Sequence, residues 1–130
     1  MYCNSMNPHC AVVESPLKGN FAVNRLYATW CCRHLHDCGF SPLASHLLAP
    51  WFLDDRVEDE RQAGIRMPWF WQTDVPHYFF RGLGLSSGMI FAKGRCLELG
   101  IPTFDEELPQ PYWEAFQRSE QPPHTPGFDI

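Results

Sequence analysis

The chain has 130 residues, of which 45% are hydrophobic and 19% charged, and its formal net charge at pH 7 is −5. This length suits one domain with its own core, and the composition is globular rather than disordered. The acidic balance argues against a protein that binds polymeric nucleic acid, which would present a basic surface. It does not argue against one bound nucleotide, because a single phosphate needs only local donors.

The six cysteines have neither a CxxC pair nor the spacing of a disulfide framework, so we expect reduced thiols in a cytoplasmic protein. His34, His36 and Cys38 lie close together, but their spacing matches no common zinc site, and we expect no metal and no other cofactor. The first residues form no basic segment followed by an apolar run, and no stretch reaches the length of a membrane span. We therefore expect no leader and no membrane partner.

Short apolar strands and helices alternate along the chain. Strands are predicted at 9–14, 40–44, 76–80 and 101–104, helices at 21–37, 58–67 and 89–99, and a short helix within 105–117. Pro68 is expected to interrupt or end the second helix, and 45–57 to form a long loop. The alternation favours a single α/β domain with a Rossmann-like (flavodoxin-like), mostly parallel sheet flanked by helices. That domain is predicted at 9–117, after a lead-in at 1–8 and before a Pro-rich tail at 118–130.

One rim of such a sheet is the expected site. Ligands bind at the carboxyl ends of parallel strands, which places 15–20, 45–55 and 83–89 together. Residues 86–88 (Ser-Ser-Gly) open a helix, whose first N–H groups lack partners and whose dipole is positive at that end. We therefore expect a phosphate or a carboxylated sugar at this helix start.

Motifs in this order resemble the nucleoside 2-deoxyribosyltransferase superfamily and its nucleoside 5′-monophosphate N-glycosidase branch, with small bacterial and phage-type members as the nearest match. The resemblance covers about residues 10–104. It rests on Ser15-Pro16-Leu17-Lys18-Gly19 with Asn24, on Ser45-His46-Leu47-Leu48-Ala49-Pro50 with Phe52-Leu53-Asp54-Asp55, on Ser87-Gly88-Met89, and on Glu98-Leu99-Gly100-Ile101-Pro102. It implies an assembly of two or more identical subunits.

The family cleaves or exchanges the N-glycosidic bond between a base and a ribose or deoxyribose. A Glu in the helix after the Ser/Gly loop attacks the anomeric carbon, and water or a second base resolves the glycosyl-enzyme intermediate. Four residues on from Gly88, or eight back from Gly100, this chain has Ala92 at the position of that Glu. The resemblance thus implies an N-glycosidase or deoxyribosyltransferase whose turnover is impaired by Ala92.

Three explanations of Ala92 stay open: an inactive variant made to trap a substrate, a natural binding protein derived from an enzyme, or catalysis by another carboxylate. Glu98 lies in the same helix, but six residues on from Ala92 it would point to a different face. The other carboxylates that are candidates by position are Glu14, Asp54, Asp55 and Asp74. We take Asp54 and Asp55 as the catalytic candidates beside position 92.

Position 86 separates the two branches of the family. Nucleoside enzymes carry an Asp six residues before the nucleophile, whereas monophosphate hydrolases carry a Ser, and this chain has Ser86. A hydroxyl can hold a 5′-phosphate that a carboxylate would repel, so the resemblance favours a nucleoside monophosphate as substrate. The residues expected to bind the substrate or its phosphate are Ser15, Leu17, Lys18, Gly19, Asn24, His46, Ser86, Ser87, Gly88 and Met89.

Two functions of other classes stay open. One is a non-catalytic module that binds or sequesters a nucleotide. The other is a structural or partner-binding protein that uses an aromatic cluster, whose members could alternatively stack on a base. The cluster consists of Trp51, Trp69, Phe70 and Trp71.

Overall fold

The structure is a computed structural model and describes residues 9–71 and 74–123. In these residues four strands alternate with five helices. The strands are β1 (Cys10–Glu14), β2 (Ser41–Leu43), β3 (His77–Phe80) and β4 (Thr103–Glu106). The helices are α1 (Phe21–Asp37), α2 (Ser45–Leu48), α3 (Glu58–Trp71), α4 (Ser87–Leu99) and α5 (Gln110–Gln117), with a short 3₁₀ turn at Ala49–Trp51. No helix of the described residues combines the length and apolar character that a membrane crossing needs.

The strands form one parallel sheet in the order β2-β1-β3-β4, which confirms the predicted Rossmann-like α/β domain. The chain passes from β1 outward to β2, then crosses back over β1 to reach β3. Because the order reverses between β1 and β3, a crevice opens at the carboxyl ends of these two strands. Their register pairs Glu14 with Phe79, so both strands end at the same level.

The core on one face of the sheet is built from alternate strand residues and two helices. Ala11 and Val13 of β1 and Tyr78 and Phe80 of β3 are buried against α1 and α5. Asn20 starts α1, because its side-chain oxygen accepts a hydrogen bond from the backbone N–H of Val23 at 3.2 Å. The helix then buries Tyr27, Trp30, Cys31 and Leu35, at the spacing that keeps side chains on one helical face.

The opposite face carries α3 and α4. Phe79 packs against Met89 and Ala92 of α4, and Trp69 of α3 completes this smaller cluster. The ring of Trp69 stacks on His77 with centroids 4.8 Å apart, and His77 is fully buried. Helix α4 begins at the crevice, so this packing fixes the position of its first turn there.

Two predictions about the α2–α3 region are wrong. Residues 45–57 are not one long loop, since α2 and the 3₁₀ turn occupy their first half, with Pro50 in the first turn, where it needs no N–H partner. Helix α3 does not end near Pro68 but continues to Trp71. Pro68 is buried, and Gly64, four residues earlier, packs closely on Ala49, so that tertiary packing outweighs the lost helical hydrogen bond.

The remaining boundaries differ by small shifts. Strand β4 lies two residues later than predicted, at Thr103–Glu106, and the short helix within 105–117 is α5. The predicted lead-in at 1–8 and most of the predicted tail, from 124 onward, lie outside the described residues.

Candidate functional site

The three predicted rim segments meet at the carboxyl ends of the strands, where they line a cavity of about 340 Å³. We call it the sheet cavity, because the end of β1 forms its floor with Glu14 and Ser15. Its other walls come from the 15–20 loop, from Ser45 and Asp55, from the start of α4 and from α3. The convergence expected from the strand order is therefore present in the structure.

A second cavity of about 840 Å³ adjoins the first, and we call it the α2 cavity. It is lined by α2, the 3₁₀ turn and the segment that follows, including His46, Phe52 and Asp54. The two cavities are neighbours that share six lining residues, and together they are called the crevice. These are Leu17, Lys18, Ser45, Asp55, Arg61 and Ile65.

Ser15 and His46 join the two cavities. The hydroxyl oxygen of Ser15 lies 2.7 Å from Nε2 of His46, and both side chains are buried. Burial lowers the pKa of His46 to about 4, so the imidazole is neutral at pH 7. The pair ties the loop after β1 to α2 without adding a charge to the crevice.

Asn24 holds the 15–20 loop from behind. Its side-chain amide donates hydrogen bonds to the carbonyl oxygens of Leu17 at 3.1 Å and Lys18 at 2.8 Å. Asn24 lines neither cavity, so the structure gives it a positioning place rather than the predicted direct contact. Gly19 follows with φ of +102°, a conformation that side chains rarely adopt, and lines the α2 cavity.

Lys18 is the exposed cation at the mouth of the crevice. It lines both cavities, and none of the described carboxylates forms an ion pair with it. The first turn of α4 lines the sheet cavity as well, and there the hydroxyl oxygen of Ser86 accepts a hydrogen bond from the N–H of Met89 at 3.2 Å. Ser86, Ser87 and Gly88 line the sheet cavity, so the positive end of α4 faces it.

Ala92 lies in the wall of the sheet cavity and is 5% exposed. Its methyl group packs with Met89 on Phe79 and offers no reactive atom. Glu98 does not replace it, because Glu98 is exposed, pairs with Arg95 at 3.6 Å and lines neither cavity.

The catalytic candidates Asp54 and Asp55 both reach the crevice, but each faces an arginine. Asp54 lines only the α2 cavity and accepts hydrogen bonds from Nε and Nη2 of Arg56, both at 3.0 Å. These hydrogen bonds lower the pKa of Asp54. Asp55 lines both cavities and lies 3.6 Å from Nε of Arg61.

Glu14 is the remaining carboxylate of the sheet cavity. Its side chain is 16% exposed, and its Oε2 lies 3.9 Å from Nδ1 of His77. None of the described Lys or Arg side chains pairs with it, and both ring nitrogens of His77 lack a hydrogen-bond partner among the described residues. Glu14 was one of several carboxylates named from the sequence, and the fold alone distinguishes it.

The aromatic residues that were expected to form one cluster lie in different parts of the structure. Trp69 lines the sheet cavity, but His77 covers one face of its ring. Trp51 is exposed beneath the guanidinium of Arg25, 5.0 Å from the ring centroid, and lines the α2 cavity. Phe70 is 77% exposed and lines neither cavity, while the side chain of Trp71 lies outside the described part.

Residues of α3 complete the site and were missed by sequence reasoning. Arg61 and Gln62 bring polar groups into the sheet cavity, and Ile65 and Pro68 form an apolar wall. No motif marks them, since they occupy one face of a helix with an ordinary polar composition. The available signal is topological: α3 is the crossover that leads back over β1 to β3, and it must pass the crevice.

Comparison with known proteins gives one match. A family described as a domain of unknown function, DUF7768, matches residues 9–105, which run from the start of β1 into β4. No curated protein and no solved structure matches the chain. The matched range spans more than half of the chain and includes all three rim segments, at 15–20, 45–55 and 83–89. The chain therefore belongs to the DUF7768 family.

Proposed function

We propose that this protein binds a nucleoside 5′-monophosphate in the crevice and hydrolyses its N-glycosidic bond, giving free base and sugar phosphate. The observation that carries the proposal is one cavity lined by Ser15, Lys18, the 86–88 turn and Ala92. These residues belong to the motifs that resemble the nucleoside 5′-monophosphate N-glycosidases.

The phosphate is assigned to the start of α4. The hydroxyl of Ser87 and the unpaired N–H groups of the first turn supply donors there, and the helix dipole favours an anion. Lys18, which has no carboxylate partner among the described residues, adds a positive charge across the sheet cavity. These cationic and N–H groups give a dianionic phosphate local partners, although the same cavity contains Glu14 and Asp55 and the whole chain is acidic.

The sugar and base are assigned to the part of the crevice beyond that phosphate. Ligand sites in proteins typically have volumes of about 300–1,000 Å³, and the α2 cavity at about 840 Å³ lies within that range. The larger part of its lining is apolar, and its polar part consists of the neutral His46, the peptide groups around Gly19 and charged side chains that include Lys18, Asp54 and Arg61. Such a lining accepts the flat face of a base and leaves its polar edge to a few hydrogen bonds.

A second candidate function is a nucleotide-binding module without turnover. Ala92 favours it, because the position that the resemblance assigns to the nucleophile carries only a methyl group. The two candidates share the same binding step and differ in whether free base is released.

The test compares binding of monophosphates and nucleosides by calorimetry, for the wild type, Ser86→Asp and Ser119→Asp. Asp caps a helix as well as Ser does, so Ser86→Asp retains the α4 start and places a negative charge at the phosphate position. Ser119→Asp carries the same charge change on an exposed residue outside both cavities. Ribo- and deoxyribonucleotides of each base form the ligand panel.

We expect Ser86→Asp to weaken monophosphate binding by about tenfold or more and to leave nucleoside binding nearly unchanged. Ser119→Asp should bind like the wild type. The proposal is wrong if the wild type binds no monophosphate, or if Ser86→Asp binds monophosphates as tightly as the wild type does. Chromatography of the same mixtures for free base then separates the hydrolase from the binding module.

A further inference from the structure

We infer that Glu14 is the carboxylate that reacts at the anomeric carbon of the bound nucleotide. This inference rests on the proposed function and assigns the group that carries out its chemistry. It replaces the catalytic assignment of Asp54 and Asp55 made from the sequence.

The surroundings of the carboxylates distinguish Glu14 from the other candidates. Asp54 is held by Arg56, Asp55 by Arg61, and Glu98 by Arg95, so each of these carboxylates has a cation against it. Asp74 is exposed and lines neither cavity. Glu14 lines the sheet cavity and has no cationic Lys or Arg partner among the described residues. An unpaired carboxylate keeps its electron pairs available for attack on carbon.

Glu14 and Ala92 line the same cavity. Glu14 ends β1, and Ala92 projects from α4 into the same cavity. Cys96 lies one helical turn after Ala92 and is buried on the same face of α4. Burial raises the pKa of Cys96 to about 11, and the charge of Glu14 adds to that rise. The sheet cavity thus has a carboxylate from β1, in addition to the α4 position where the resemblance expects one.

Buried neighbours fix the position of the Glu14 carboxylate. Its side chain is only 16% exposed, and Nδ1 of the fully buried His77 lies 3.9 Å from Oε2. His77 is itself held by the stacked ring of Trp69, with an angle of 16° between the ring planes. The carboxylate is therefore attached to a strand end and backed by a fixed ring, as a group that must meet one carbon atom requires.

The reaction balances with water as the second reactant. An oxygen of the Glu14 carboxylate bonds to C1′ while the bond from C1′ to the base nitrogen breaks, and its electron pair stays on the base. Water then attacks C1′, the ester bond to Glu14 breaks, and that electron pair returns to the carboxylate. The water hydroxyl remains on the sugar phosphate, and its proton neutralises the released base.

The experiment measures base release and nucleotide affinity on the same samples of wild type, Glu14→Gln and Glu107→Gln. Gln has the size of Glu, so the first variant removes the charge and the nucleophilic oxygen with little change in volume. Glu107→Gln is the matched control on an exposed residue that lines neither cavity. Circular dichroism melting curves check that all three proteins are folded.

We expect Glu14→Gln to lower base release by at least about 100-fold while its affinity stays within about threefold of the wild type. Glu107→Gln should match the wild type in both measurements. The assignment of Glu14 is overturned if Glu14→Gln releases base at the wild-type rate, or if the wild type binds a monophosphate and releases no base. If none of the three proteins, the wild type included, binds a monophosphate, the proposed function itself is overturned.

Should Glu14→Gln fail to fold, Glu14→Asp takes its place. This variant keeps the carboxylate but shortens the side chain by one methylene, so its oxygens withdraw from the cavity. We expect base release to fall by at least about tenfold at unchanged affinity. Release at the wild-type rate would overturn the assignment.

Discussion

The hydroxyl oxygen of Ser15 and Nε2 of His46 lie 2.7 Å apart in the interior, at the boundary between the sheet cavity and the α2 cavity. Ser15 follows β1 and His46 lies in α2, so this one hydrogen bond joins two rim segments that are 31 residues apart. The pair must stay neutral to remain buried, because an imidazolium at this place would be shielded from solvent and would pair with none of the described carboxylates.

A pH dependence of stability follows from His46. Its pKa is about 4 in the folded protein and 6.5 as a free side chain, so between these values the unfolded chain binds a proton that the folded protein excludes. Acidification therefore favours unfolding: the stability present above pH 6.5 falls by about 3 kcal/mol as the pH approaches 4. Urea unfolding at several pH values measures this loss.

The variant His46→Gln separates this effect from the titration of carboxylates. Gln can still hydrogen-bond to Ser15 but does not titrate, so the difference between wild type and variant isolates the histidine. As the pH falls below 6.5, we expect the free energy of unfolding to decrease more for the wild type than for the variant. Parallel curves for the two proteins would show that the folded protein tolerates a protonated His46.

Installing a carboxylate at position 92 tests the resemblance. Ala92 is buried in the wall of the sheet cavity, so Ala92→Glu places a second carboxylate near Glu14. We expect faster base release, because this is the position that the resemblance assigns to the nucleophile, and a loss of stability of about 1–3 kcal/mol from the buried charge. Chromatography of free base and thermal melting measure the two effects.

The matched control is Ala92→Gln, which adds the same volume without a nucleophile. It should lose stability and gain no activity. Base release that is unchanged in Ala92→Glu would argue that a carboxylate at this position of α4 takes no part in the reaction.

Replacing Gly82 or Gly94 by alanine should change the stability of the protein in opposite directions. A Cβ on Gly82 would lie 2.8 Å from the hydroxyl oxygen of Tyr27 and 3.2 Å from a ring carbon of Trp113. Tyr27 belongs to the core formed with α1 and α5, and Trp113 packs against that core. The N–H of Gly82 also donates to that Tyr27 oxygen at 2.9 Å. We expect Gly82→Ala to cost about 1–3 kcal/mol, because the buried Tyr27 cannot move away.

Gly94 provides the contrast within α4. It is exposed in the helix interior, and no atom of the described residues comes within 4 Å of a Cβ built there. Gly94→Ala should therefore stabilise the protein by about 0.5–1 kcal/mol through helix propensity and a less flexible unfolded chain. Chemical unfolding of both variants checks the signs, and a destabilising Gly94→Ala would point to a contact that α4 makes outside the isolated chain.

Local sequence signals were sufficient where they agreed with the tertiary structure. Helix α1 begins and ends where predicted, because Asn20 caps it and its apolar residues recur at helical spacing. Strand β1 is likewise predicted by its short apolar run. In α3 the local signal was misleading, since Pro68 predicts a stop that packing of the helix on the sheet and on Ala49 overrides.

The site was predictable at its loops and not at its helices. Ser15 and Ser86 follow strands at the rim, so the strand order alone brings them into one cavity. Arg61 lies on a crossover helix whose facing side depends on how α3 packs, which no local pattern gives. What distinguishes Glu14 from Asp54 is that Asp54 pairs with Arg56 whereas none of the described arginines pairs with Glu14, and that is a property of the folded chain.

Asn24 offers the last prediction, because it acts on the site without lining it. Its buried amide donates to the carbonyls of Leu17 and Lys18, which holds the loop that carries Lys18 into the crevice. Asn24→Ala leaves two carbonyl groups without their donor, so we expect a loss of about 2 kcal/mol in stability together with weaker monophosphate binding. Asn20→Ala is the comparison, since it removes only the exposed α1 cap and should cost about 1 kcal/mol. If Asn24→Ala is destabilised but binds monophosphates as tightly as the wild type, the loop keeps its place without this side chain and Lys18 is not positioned by it.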